Sequence, residues 1–192
     1  MKKKESTFIN MLAALFIVTL ISGLALSYVN IATEGPIAAA KLKRKVAAIE
    51  MVVPVFDNNP VATMKAVFKE GFKDSVEVYS AHKAKKLVGV AVIGMSNKGF
   101  SGLIKVMAGF HPDGRIINIQ VLEQKETPGL GTKIKSERFI QQYVNKNPAS
   151  FNLTPKKDGG DIDALTGATI STRAFSAAVQ QAYEVFENLK KD

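Results

Sequence analysis

Four hydroxyl side chains crowd one short stretch near the C-terminus: Thr166, Thr169, Ser171 and Thr172. They follow Asp163 and are interleaved with Gly167 and Ala168, where a polar irregular segment gives way to a helical pattern. A phosphate needs unpaired N–H donors, a chain able to turn tightly and no obstructing side chains. Gly167, Ala168 and the helix N-terminus near Ser171 meet those needs. A phosphate held covalently also needs a hydroxyl acceptor, and all four hydroxyls are candidates. The same residues suit a plain helix start, with Ser171 or Thr172 as the N-cap. Spacing alone names no ligand.

Two upstream loops could face such a site. Glu126-Thr127-Pro128-Gly129-Leu130-Gly131 leaves the end of a strand pattern. Pro128 fixes φ and the glycines permit sharp turns, so the loop is rigid and presents main-chain N–H groups together with the Glu126 and Thr127 side chains. It can hydrogen-bond the edge of a heteroaromatic ring, with Leu130 as an apolar platform. It can equally be a structural turn. Gly99-Phe100-Ser101-Gly102 joins two strand patterns, and its glycines let another backbone or a flat ligand approach closely. Phe100 is the candidate contact there, although plain loop glycines would look the same.

Composition narrows the chemistry. The 192 residues include no cysteine and only two histidines, His82 and His111. Disulfides, iron–sulfur clusters and Cys-ligated zinc are thereby excluded, and a protein-built transition-metal site is not expected. Redox chemistry would require an organic cofactor. The formal charge of +9 fits anionic lipid or an acidic protein. Nucleic acid is not expected as a partner, because aromatic and basic residues are not interleaved.

The elements that must position these residues follow from periodicity. Lys2-Lys3-Lys4 precedes an uncharged stretch from Ser6 to Thr33 whose apolar heart is Met11–Val29, long enough to approach a bilayer's roughly 30 Å core. The lysines predict a cytoplasmic N-terminus, with the rest of the chain beyond the membrane. A cleaved signal peptide is the alternative to a retained anchor. Gly35-Pro36 reads as a helix start, and Lys41, Lys43, Arg44 and Lys45 read as either a solvated face or a lipid contact. From Val76 the period becomes two. Strands are expected over Val76–Ala81, Lys86–Met95, Leu103–Phe110 and Ile116–Glu123, the last pair joined by His111-Pro112-Asp113-Gly114. Ser136–Val144 has helical spacing, 149–162 reads as exposed loop, and Thr172–Lys190 is a strongly amphipathic helix closed by Lys190-Lys191. The predicted class is α+β: an N-terminal transmembrane helix and one extracytoplasmic domain with an antiparallel sheet flanked by helices. The expected divisions are an anchor at 1–33, a helical linker at 34–75 and a binding domain at 76–192.

Asp163 to Thr169, read as Asp-x-x-Thr-Gly-Ala-Thr, resembles the flavinylation motif of the FMN-binding domains in Rnf and Na⁺-translocating NADH:quinone reductase complexes. Glu126–Gly131 is similar to the family's second signature, which borders the isoalloxazine ring, and the two occur in the family's order behind an N-terminal anchor. The resemblance covers nearly the whole chain and is strongest to the G subunit of Rnf. It implies FMN joined to Thr169 by a phosphoester bond, with Asp163, Thr166, Gly167 and Ala168 as the recognition motif. Glu126, Thr127, Leu130 and Gly131 would lie at the ring. A lysine before the motif would reach the flavin, Lys157 being the nearest match and Lys156 close behind. A flavin transferase using FAD and Mg²⁺ would make the bond. No catalytic or metal-binding residue is implied. The protein would be a single-pass electron-relay subunit of the bacterial inner membrane, working with integral-membrane and redox subunits. The alternatives are the C subunit of the quinone reductase and a flavin-free, membrane-tethered binding module.

Overall fold

The computed structural model describes residues 7–67 and 75–190. Lys2-Lys3-Lys4, on which the orientation expectation rests, and Lys191 lie outside the described residues. The chain divides into two compact units, residues 1–43 and 44–192. One helix, α1 (Phe8–Val52), contributes to both. Its most apolar 18-residue window has a mean hydropathy of 2.3, so length and composition allow it to cross a membrane. Gly35-Pro36 does not start a new helix: α1 runs through Pro36. A proline inside a helix costs about 3 kcal/mol. The helix formers after it, Ala38 to Leu42, keep the path helical beyond that local loss.

In the second unit, period-two alternation folds into a meander of five antiparallel strands in sequence order. These are β1 (Lys65–Val67), β2 (Val76–Lys83), β3 (Lys86–Gly99), β4 (Gly102–Phe110) and β5 (Ile116–Gln124). The four expected strands are all present, slightly longer than predicted. β1 has no counterpart among the expected strands, because three residues are too few to show alternation. The tight turn after β4 forms as predicted, with the Gly114 N–H donating to the His111 carbonyl at 2.9 Å.

Successive residues of the central strands serve two cores. Val76, Val78, Val90, Val92, Val106 and Ala108 face one cluster, while Tyr79, Ala81, Ala91, Ile93 and Met107 face the other. The first is covered by α3 (Thr169–Leu189), through Phe175, Ala178, Val179, Ala182 and Phe186. The second is covered by Ala48, Ile49 and Val52 at the end of α1. A sheet covered on both faces explains why β3 reads as a nearly continuous apolar run.

The helix expected over Ser136–Val144 shortens to α2 (Glu137–Ile140), preceded by a 3-10 turn over Gly131–Lys135. Beyond α2 the chain tightens, Tyr143 N–H bonding the Ile140 carbonyl, and ends at Asn145 with φ +62°. The helical spacing still marks burial: Phe139, Ile140 and Tyr143 are all in the core. The polar segment 149–162 is more ordered than an exposed loop. Leu153 and Ile162 are buried, and the Lys156 N–H bonds the Ile162 carbonyl at 2.8 Å.

Polar contacts join the last turns of α1 to the sheet, among them the Asn118 amide donating to the Met51 carbonyl at 3.1 Å and a group centred on Glu77. Lys45 Nζ lies 2.6 Å from Glu77 Oε2, which also accepts the Tyr79 hydroxyl. Burial opposes the Glu77 charge. Hydrogen bonds from Lys45 and Tyr79, and the charges of Lys45 and Lys105, outweigh it and hold its pKa below the ordinary carboxylate value. A depressed carboxylate pKa contributes stability that is complete above the unfolded-state pKa and is lost as pH falls through the folded one. Thermal unfolding followed from pH 7 to pH 3 should therefore show a smaller acid-induced loss in Glu77→Gln than in wild type. Equal losses would remove this group from the acid response.

Candidate functional site

The site is built where three chain reversals meet at one end of the sheet. β3 and β4 are joined by the two-residue turn Phe100-Ser101, closed by the pair Gly99 and Gly102. The second segment, Thr127 to Gly131, leaves β5 and is folded on itself, with the Leu130 and Thr132 N–H groups both bonding the Thr127 carbonyl. The third is the start of α3. These segments line an open cleft of about 540 Å³, to which they contribute Phe100; Thr127, Leu130 and Gly131; and Gly167 through Ser171. That is the size range of small-molecule and cofactor sites. Phe100, Leu130 and Ile170 leave 67%, 44% and 46% of their surfaces exposed. Apolar surface of that kind around one cleft suits a flat ring system.

The helix begins earlier than expected, and this changes the site. Ser171 and Thr172 are not N-caps. The first helical residue is Thr169, with Ala168 at the cap position and no side-chain cap bond. Gly167, at φ +74°, makes the turn into it, a conformation that glycine adopts without strain. Because alanine cannot cap, the N–H groups of Thr169, Ile170 and Ser171 find no acceptor among the described residues. They point out of the positive end of a 21-residue helix, which is the arrangement that binds phosphate.

The four hydroxyls now separate. Thr172 is fully buried, accepts the Leu165 N–H and donates to the Ala168 carbonyl. Ser171 lines the cleft, but its hydroxyl donates to the Glu126 carboxylate. Thr166 is exposed and does not line the cleft. Thr169 lines it, half-buried, with no hydrogen bond to its hydroxyl among the described residues.

Three other candidates lie off the cleft wall. Glu126 does not offer its carboxylate to a ring edge: it is 3% exposed, accepting the Ser101 N–H at 2.9 Å as well as the Ser171 hydroxyl. Asp163 pairs with Lys156 at 2.8 Å, and its backbone is gripped by the Gln142 amide. Lys157 is on a 3-10 turn, Lys156–Asp158, that does not line the cleft. Arg173, one turn into α3, makes a two-pronged bond to Asp158, both contacts at 2.7 Å. The guanidinium holds the Asp158 carboxyl below its ordinary pKa. The loop before the motif is thus fastened to the helix that follows it. Ile170 and the bracing side chain Gln142 are not among the residues that the sequence singles out. The only available signal for Ile170 is that a helix opening at Thr169 places it one residue into the first turn.

The residues present fit a phosphate-bearing ring cofactor: N–H donors and a hydroxyl without partners among the described residues stand beside three exposed apolar side chains. Residues 99–184 match the model of the FMN-binding domain family. The chain is 30% identical over 176 residues to the G subunit of an ion-translocating oxidoreductase complex from Cereibacter sphaeroides, covering 88% of this chain and 80% of that one. It is 27% identical over 187 residues to the G subunit of a Na(+)-translocating ferredoxin:NAD(+) oxidoreductase complex from Acetobacterium woodii, covering 92% and 90%. Among solved structures, NqrC of Shewanella oneidensis aligns over 74% of each chain with a TM-score of 0.46 and 23% identity.

Proposed function

Because the chain belongs to the family of G subunits of ion-translocating oxidoreductase complexes, we propose that it is the membrane-anchored electron-relay subunit of an Rnf-type complex, carrying FMN on Thr169. The observation that carries this reading is the Thr169 hydroxyl on the cleft wall, without a hydrogen bond among the described residues, at the first position of a helix whose leading N–H groups find no acceptor among them. FMN supplies the electron-transfer chemistry that no side chain in this chain provides.

The chain's own residues bind and orient. The N–H groups of Thr169 to Ser171 and the helix dipole would offset the phosphate charge. Gly167 keeps the approach to Thr169 open, and Phe100, Leu130 and Ile170 would hold the ring by apolar contact. Thr127, which lines the cleft, would meet its edge. Attachment forms a bond between Thr169 Oγ1 and the phosphorus. With FAD as donor, AMP leaves and the threonine proton passes to solvent or to a base of the flavin transferase. α1 would be the single span in lipid, and the domain would lie on the extracytoplasmic side. A covalent link there prevents loss of a cofactor that diffusion would carry away. Electrons would pass to and from other integral-membrane and redox subunits.

The test uses the full chain produced together with a flavin transferase. After complete denaturation, a fluorescent band at the mass of the chain, 20.8 kDa plus FMN, is the expected result. A dark band overturns covalent flavinylation. Fractionation of the same cells should place the protein with the membranes, and recovery as a soluble, shortened chain would replace the anchor with a cleaved leader.

A further inference from the structure

Glu126 is the buried acid at the site. Its side chain lies between two glycines. A Cβ on Gly99 would stand 2.7 Å from Glu126 Oε1, and one on Gly131 would stand 2.7 Å from Glu126 Cβ and 2.8 Å from Ser171 Oγ. No larger residue fits either position without displacing the Glu126 side chain or the groups packed against it. One oxygen accepts the Ser101 N–H and the other the Ser171 hydroxyl. The single side chain therefore joins all three cleft-forming segments: its own loop, the β3–β4 turn carrying Phe100, and the first turn of α3.

We propose that Glu126 is a positioning residue, which clamps the Phe100-Ser101 turn to the first turn of α3 so that Phe100 and Thr169 open onto one cleft. This rests on the covalent-FMN reading and gives Glu126 a role behind the cleft wall instead of at the ring. The separation follows from topology. Ser101 and Ser171 belong to a hairpin turn and a helix end with no backbone hydrogen bond between them, so a side chain has to connect them. The carboxylate suits this because it accepts from both sides at once. Two accepted bonds also satisfy its burial.

The full chain is produced with a flavin transferase, and covalent flavin per chain is read by in-gel fluorescence against total protein. Glu126→Gln keeps an acceptor for the Ser101 N–H and gains an amide donor for the Ser171 hydroxyl oxygen. Its loading is expected within twofold of wild type. Glu126→Met has similar bulk and neither bond, so loading is expected to fall at least tenfold with the far-UV circular dichroism unchanged. Ser171→Ala removes one arm only, and an intermediate loss of threefold or more is expected. That variant carries the test if the methionine variant does not fold. Wild-type loading in either Glu126→Met or Ser171→Ala overturns the proposal. So does failure of Glu126→Gln to load, since the charge rather than the connection would then be required. A wild-type chain without covalent flavin would instead remove the reading on which the proposal rests.

Discussion

Covalent flavin is expected to fall to background in Thr169→Ala, with the fold intact. The change deletes the hydroxyl and the γ-methyl of a half-buried side chain. Thr169 occupies the first helical position, not the cap, and its hydroxyl holds no hydrogen bond among the described residues. Its loss should therefore shift stability by no more than about 0.5 kcal/mol. No neighbour is placed to substitute. Thr172 is buried and doubly engaged, and Ser171 spends its hydroxyl on Glu126. Thr166 is exposed but off the cleft wall. Thr169→Ser, which keeps the nucleophilic oxygen, is expected to retain covalent flavin. In-gel fluorescence gives the loading and a thermal melt of each variant gives the stability. Full fluorescence in the alanine variant would transfer the attachment to another hydroxyl, with Thr166 the first to test. Lost fluorescence together with a melting point many degrees lower would mean that Thr169 acts through the fold.

Burial leaves the clearest trace in the sequence. The strands of the meander are legible because their side chains alternate between two apolar clusters, and the final helix because one face of it packs on β3 and β4. Features decided by a few backbone groups are not. The start of α3 lies three residues before the position that its sequence suggests, since Ser171 and Thr172 have the chemistry of caps and only the folded chain shows their hydroxyls engaged elsewhere. α1 passes through Pro36 because a local penalty does not end a helix when strong helix formers, Ala38 to Leu42, follow it. The site is legible as sets of residues, not as an arrangement. Phe100, Leu130, Gly131, Gly167 and Thr169 meet at one cleft, although 69 positions separate the first from the last. Glu126 lies below the surface because two glycines leave room for it there, and such close approaches have no periodicity to reveal them. Asp163 and Lys156 both qualify as site residues by sequence, and the structure pairs them with each other.

The packing of α3 on the sheet supplies the second large effect, at Gly94. This residue sits on the α3 face of β3, in line with Val90 and Val92. A Cβ there would stand 1.9 Å from the Ala178 carbonyl oxygen and 3.1 Å from Ala182 Cβ. The first obstacle is helix backbone, which cannot swing aside as a side chain would, so the methyl group must push α3 off the sheet. Overpacking a tight core usually costs about 1–3 kcal/mol. A clash of strand against helix main chain places Gly94→Ala at the top of that range, about 3 kcal/mol. For a domain of this size that corresponds to a fall in melting temperature of roughly 6–12 °C. Displacing the helix also draws the Gln181 side chain away from the Met95 N–H, which it accepts at 2.6 Å. Gly23→Ala is the matched control, because a Cβ at Gly23 meets nothing within 4 Å and alanine favours a helix. A thermal melt of the two variants should separate them clearly. If Gly94→Ala melts with wild type, α3 is free to retreat from β3 without penalty. In that case the first turn of α3 cannot be held firmly enough by the sheet to keep Thr169 in register with Phe100.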